Sequence, residues 1–225
     1  AQCLVGSEMC IRDRLRQGVF ACASQGLLLR LQGKQAHAAY PEEGCNPIPL
    51  LAGLLDALPA LCSQVAPKGL LLYTPVGFQA GGCNFGVSPG AGSLALTLRA
   101  DRQQDIAALV QAMAAWLTAR LPQGMSRSLE DRDVFPDTTN HAPLVDAGAA
   151  ILKQAGLSPR FLDAPMRWSE DFGHFLRAFP GFYLGLGAGE SQPGLHTPGY
   201  RFNDALLGPG LDVLWALAQG LMPPG

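Results

Sequence analysis

The sequence predicts an α/β protein in two parts: an α+β unit followed by a smaller α/β layer. Three observations carry this expectation. Leu27, Leu29 and Leu31 alternate with Leu28, Arg30 and Gln32, the mark of a half-buried strand. Apolar residues recur at helical spacing over 48–58 and again over 106–117. After Phe135-Pro136-Asp137 the elements shorten, and strands alternate one by one with helices.

Taken in order, the strand at 27–32 is followed by a helix that Asn46 caps, with Pro47 at its first position. Ile48, Leu51, Leu54, Leu55 and Leu58 form its apolar stripe, and Pro59 is expected to kink or end it. Strands follow at 70–76 and 94–99. A helix over 103–121 then buries Ile106, Leu109, Val110, Met113, Trp116 and Leu117, and a polar strand at 125–133 closes the unit. The order β-α-β-β-α-β is that of a ferredoxin-like sandwich. Next come a helix over 142–154 ended by Gly156, a strand near 160–166 and a helix opening at Ser169. A strand at 182–186 and a last helix over 204–221 complete a layer expected to hold a parallel sheet. The division is therefore 15–26 as the end of a preceding segment, 27–134 as the α+β unit and 135–225 as the α/β layer. Residues 1–14 do not match the rest and read as a foreign, adapter-like stretch joined to a truncated gene.

Composition narrows the function. Of 225 residues, 48% are apolar and 15% charged, which excludes global disorder. A net charge of −2 provides no basic footprint for nucleic acid or an anionic membrane. We read no apolar run as long enough to span a bilayer, so no membrane partner is expected. The six cysteines form no C-x-x-C pair and read as reduced thiols of a cytoplasmic protein.

The chemistry-bearing segments are Gly33-Lys34-Gln35-Ala36-His37-Ala38-Ala39-Tyr40-Pro41, Trp168-Ser169-Glu170-Asp171-Phe172, the glycine-rich exit from Gly185 to Gly189, and Leu195-His196-Thr197-Pro198. The Gly-x-Gly-x-Gly run departs from the dinucleotide fingerprint and is set aside as a nucleotide site. A histidine among small residues can approach a ligand closely, and neutral imidazole is a common metal ligand. Ser169 reads as a helix N-cap, with Glu170 and Asp171 favourably placed at the positive helix end. Asn84, in a glycine-rich turn, can serve the backbone alone. His141 and His174 read as surface residues.

In this order, the segments resemble the dinuclear-metal amidohydrolases that include aminoacylases, hippurate hydrolase and carboxypeptidase G. The resemblance implies that the α+β unit is the lid and dimerisation domain. It implies that the rest is the C-terminal part of a truncated α/β catalytic domain. The implied activity is hydrolysis of N-acyl amino acids or similar small amides, with two divalent ions, zinc or manganese, and a homodimer joined through the lid. His37 is implied as the lid histidine that steadies the oxyanion, often in the partner's site, and Asn84 as a substrate contact. Ser169, Glu170 and Asp171 border the site, and His196 is the C-terminal metal ligand. The other ligands and the general-base glutamate are not found in residues 1–26, and Glu42-Glu43 belongs to the lid turn. The chain alone is thus expected to be inactive. A dimerisation module without catalysis is the alternative.

Overall fold

In the computed structural model of this chain, residues 3–4, 14–157, 159–187 and 197–222 are described. They form two compact units, Cys22–Pro136 and a second made of Ala1–Ala21 with Asp137–Gly225. The first unit runs β1 (Ala23–Gln32), α1 (Ile48–Val65), β2 (Leu71–Ala80), β3 (Ala91–Ala100), α2 (Gln103–Thr118) and β4 (Ser126–Phe135). The sheet order is β2-β3-β1-β4 with every neighbour antiparallel, the ferredoxin-like arrangement. The strand alternation sets which face is buried. Leu27 lies opposite Leu96 and Leu29 opposite Leu94, and both pairs are buried in one core with Leu51, Leu54 and Leu58 of α1 and Ile106, Leu109, Met113 and Leu117 of α2. Each large side chain so buried contributes about 1.5–3 kcal/mol.

Four features of this unit differ from the sequence expectation. The unit begins at Cys22 and β1 at Ala23, not at residue 27, because Ala23, Ser24 and Gln25 are buried irrespective of their position in the alternation. All the strands are longer than their apolar signal, since pairing with a neighbour extends them past the last leucine. The helix α1 continues through Pro59 to Val65. Leu61, beyond the proline, is buried on the same stripe as Leu58, while Pro59 itself is exposed, so its missing hydrogen bond falls on the solvent side. Finally, α1 is 18 residues long with a mean hydropathy of 1.6, long and apolar enough to cross a membrane by those two measures, which corrects the reading of no such run. Its leucine stripe is packed on the sheet instead.

In the second unit, α3 (Ala142–Gln154) ends as its glycine predicts. Gly156 has φ +80°, Leu157 N–H donates to Leu152 C=O (2.8 Å) and Gly156 N–H to Lys153 C=O (3.1 Å), the paired bonds of a Schellman cap. The sheet is mixed rather than parallel. Arg14–Leu15 runs parallel to Arg160–Phe161, but Gly185 of Leu184–Gly185 lies antiparallel to Arg14. Cys3–Leu4 pairs in parallel with Leu184–Gly185, so parts of the stretch set aside as foreign do join this sheet. A separate ladder joins Gly18–Ala21 to Thr138–Asn140. Buried Asn140 clasps the next layer: its Nδ2 donates to Arg16 C=O (2.8 Å) and Tyr183 C=O (2.9 Å), and its Oδ1 accepts Tyr183 N–H (2.7 Å). The last helix of the unit is α5 (Leu207–Leu221), preceded by a 3-10 turn over Asp204–Leu206.

Candidate active site

Past β1 the chain folds into a ribbon held from two sides. Gly33 N–H donates to Gly90 C=O (2.7 Å), and Lys34 exchanges backbone bonds with Cys45 (3.2 and 2.7 Å). Ala36–His37 then pairs antiparallel with Val87–Ser88, His37 opposite Val87, and Ala38 N–H donates to Gly86 C=O (3.0 Å). The approach is too close for side chains at two points. A Cβ on Gly33 would stand 2.0 Å from Cys45 O, and one on Gly90 would stand 2.5 Å from Gln35 N.

The His37 side chain is exposed, and its Nδ1 accepts the Ala39 N–H at 3.1 Å. A neutral imidazole carries one donor nitrogen and one acceptor, so this bond puts the ring proton on Nε2. Tyr40 flanks the ring at 5.9 Å between centroids. The ribbon thus presents an N–H donor at its surface, the group needed to stabilise negative charge growing on a carbonyl oxygen.

Asn84 lies on the partner side of the same ribbon, although far from His37 in sequence. Its Oδ1 accepts Gly86 N–H (3.1 Å) and its C=O accepts Val87 N–H (3.3 Å). Beside it, on the same unit, opens a cavity of about 810 Å³ lined by Asn84, Gln35, Gln79, Arg30, Ser93 and Ser128 among others. Among the described residues no aromatic or acidic side chain lines it, and its polar groups are amides, hydroxyls and guanidiniums. Arg30 is held by Glu130 (2.7 Å), which also pairs with Arg132; the two guanidiniums keep that carboxyl below the usual range.

In the second unit, the Ser169-Glu170-Asp171 segment precedes its helix rather than opening it. The helix α4 is Gly173–Ala178, and Ser169 is not its cap. The buried Glu170 takes that part: Oε2 accepts Phe172 N–H (2.6 Å), with a further backbone bond from Gly173, and Oε1 accepts the Thr138 hydroxyl. The Glu170 side chain, one residue nearer the helix, accepts the first backbone donors instead, which is why the serine signal misplaced the start. Burial holds the Glu170 carboxyl above the usual glutamate value, partly offset by the Phe172 N–H. Asp171 is exposed, and its C=O accepts His174 N–H (3.0 Å). Next to this segment, Phe20, Trp168, Phe172 and Tyr183 form an aromatic cluster with centroids 5.0–6.1 Å apart. His141 and His174 are exposed.

His196 lies outside the described residues. Among the described residues, no group of three or more His, Cys, Asp or Glu converges to hold a metal ion. The described residues therefore do not by themselves fit a dinuclear centre, and no chemical step is derived through one.

Residues 23–125 match the family model of the M20 peptidase dimerisation domain. This stretch is a peptidase dimerisation domain. The match covers the whole ribbon, so His37 and Asn84 both belong to the dimerisation domain. Beyond it, the chain is 26% identical over 201 residues to IAA-amino acid hydrolase ILR1-like 2 of Arabidopsis thaliana, covering 85% of this chain and 45% of that protein. It is 26% identical over 212 residues to an N-acetyldiaminopimelate deacetylase of Leuconostoc mesenteroides, covering 90% of this chain and 54% of that one. The chain thus spans about half the length of these curated relatives. Among solved structures it resembles in fold a candidate aminohydrolase of methicillin resistant Staphylococcus aureus, with TM-score 0.80, 20% identity, 96% of this chain and 56% of that one. It also resembles the YXEP protein of Bacillus subtilis, described as a dinuclear metal binding peptidase from the M20 family, with TM-score 0.71, 14% identity, 95% of this chain and 54% of that one.

Sequence reasoning missed the polar lining of the dimerisation domain's cavity. The available signal was the polar half of each strand alternation, such as Arg30 beside Leu29 and Leu31 and Ser93 beside Leu94. The Ala39 amide and Gly86 carbonyl had no such signal, because backbone groups are the same in every residue type.

Proposed function

We propose that this chain belongs to a metal-dependent amidohydrolase that cleaves the amide bond of N-acyl amino acids or similar small amides. The observation that supports it most is His37 held as an Nε2–H donor at the surface of a dimerisation domain. That donor stabilises the oxyanion of the tetrahedral intermediate, an interaction worth about 3–4 kcal/mol where such donors have been removed. Asn84, whose Oδ1 is engaged by Gly86, keeps its NH₂ for the substrate. In the second unit, Glu170, with Ser169 and Asp171 beside it, is a supporting residue that fixes Thr138 and the first turn of α4.

In this reading the enzyme binds two divalent ions, zinc or manganese, which when bound supply Lewis acidity; His196 is this chain's own ligand to them. The remaining ligands and the general-base glutamate belong to the rest of a longer protein. The enzyme is a homodimer joined through the lid, and its proposed location is cytoplasmic. One observation favours a dimerisation module instead: the family match falls wholly on the lid. Assaying the longer gene product on N-acetyl and N-benzoyl amino acids, with metal analysis, separates the two. Turnover with bound metal is expected. A metal-free, inert product would sink the enzyme reading and leave the module.

A further inference from the structure

The acceptor that Asn84 spends on Gly86 has a consequence for His37. Asn84 Oδ1 fixes the Gly86 N–H at 3.1 Å, and the carbonyl of that same Gly86 accepts the Ala38 N–H at 3.0 Å. His37, immediately before Ala38, sits opposite Val87, immediately after Gly86. The Ala39 amide that sets the ring proton is one residue further on. We propose that Asn84 is a positioning residue for His37: its side-chain carbonyl clamps the Gly86 peptide, and that peptide orients the 38–39 backbone that holds the imidazole in its Nε2–H form.

The local chemistry supports a device of this kind. The segment from Gly81 to Gly86 is exposed, with no buried side chain to order it, and it contains three glycines. An exposed glycine-rich turn has a large conformational entropy to lose. A side chain that bonds the backbone two residues on is the cheapest way to restrict it. The ribbon is anchored tightly at its other end, where Gly33 meets Gly90 and Lys34 meets Cys45. Asn84 therefore guards the end that carries the histidine. The carbonyl oxygen does the positioning and the NH₂ takes no part, so the two faces of one amide can be tested apart.

The functional meaning rests on His37 as the oxyanion donor; the measurement does not. In the full 225-residue chain labelled with ¹⁵N-histidine there are four imidazoles, and loss of one set of signals in His37→Gln assigns the ring. In the wild type the neutral ring is expected as the Nε2–H tautomer. Asn84→Ala should populate the Nδ1–H form and speed amide exchange at Gly86 and Ala38 by about two- to tenfold, the equivalent of one hydrogen bond of typical net strength. Asn84→Asp should restore both, because a carboxylate oxygen still accepts the Gly86 N–H. The proposal is overturned if Asn84→Ala leaves tautomer and exchange at wild-type values, or if Asn84→Asp behaves like Asn84→Ala. Either outcome leaves the oxyanion reading standing. Conversely, a longer enzyme indifferent to His37→Ala would overturn that reading and leave this linkage intact.

Discussion

His37 and His196 are expected to part company when they are removed one at a time. One is proposed to donate to a transition state and the other to hold metal, so in the longer enzyme His37→Ala should cut kcat by about 10²–10³-fold with metal retained. His196→Ala should lose metal as well as rate. Metal analysis of the purified variants decides it, and equal metal content in both would strike His196 from the ligand set. Glu170 gives a second expectation at this scale, through pH. Its carboxyl is held above the usual glutamate value, first by burial and also by the Asp171 charge. For an acid raised in the folded state, the stability it contributes is complete below the unfolded value of about 4.3 and is lost as pH rises through the folded value. Glu170→Gln does not titrate, so the Tm of the variant should gain on the wild type from about pH 4.3 upward and then level off. A Tm difference that stays flat between pH 4 and pH 8 would show that burial does not raise this carboxyl.

Among the elements, α1 holds the clearest local conflict. Its stripe of Leu50, Leu51, Leu54, Leu58 and Leu61 runs straight past Pro59. Packing of those leucines in the core shared with α2 and the sheet outweighs a proline that costs about 3 kcal/mol relative to alanine in a helix interior. Pro59 is exposed, so Pro59→Ala can restore the backbone bond without disturbing the core. Thermal unfolding should then show stabilisation of about 1–3 kcal/mol, reduced from the full helix cost by the freer unfolded chain. A lower Tm would mean that the proline fits a bend on which the leucine packing depends.

For the whole molecule, the proposed homodimer has to choose a surface of the 23–125 domain. The open sheet has two edges, β2 and β4. The β4 edge carries Glu130, Asp131, Arg132 and Asp133, and such a run of charge discourages strand pairing. The β2 edge has no charged residue and exposes Val76 (63%) and Phe78 (43%), although Pro75 and the bulge beside it limit the pairing length. We therefore expect a dimer through β2 at micromolar concentration, and Val76→Lys should shift it to monomer in light scattering. A wild-type monomer, or a variant that stays dimeric, would move the contact off this edge.

Where a signal is local, the sequence alone determined the outcome. The bounds of α3 and its Gly156 cap follow from spacing and from one residue that tolerates positive φ, and the α2 stripe from helical periodicity. The order of the lid elements was legible for the same reason. Only the tertiary structure decided the rest, because partners distant in sequence supply the deciding bonds. Neighbouring strands extended β1 back to Ala23, core packing carried α1 through Pro59, and a buried glutamate displaced Ser169 from the helix start. The residue type of His37 marks it as a candidate, but the ribbon that presents it is held by Val87, far along the chain. Periodicity cannot encode such a contact, since it records which side of an element is apolar and not which backbone group a side chain will meet.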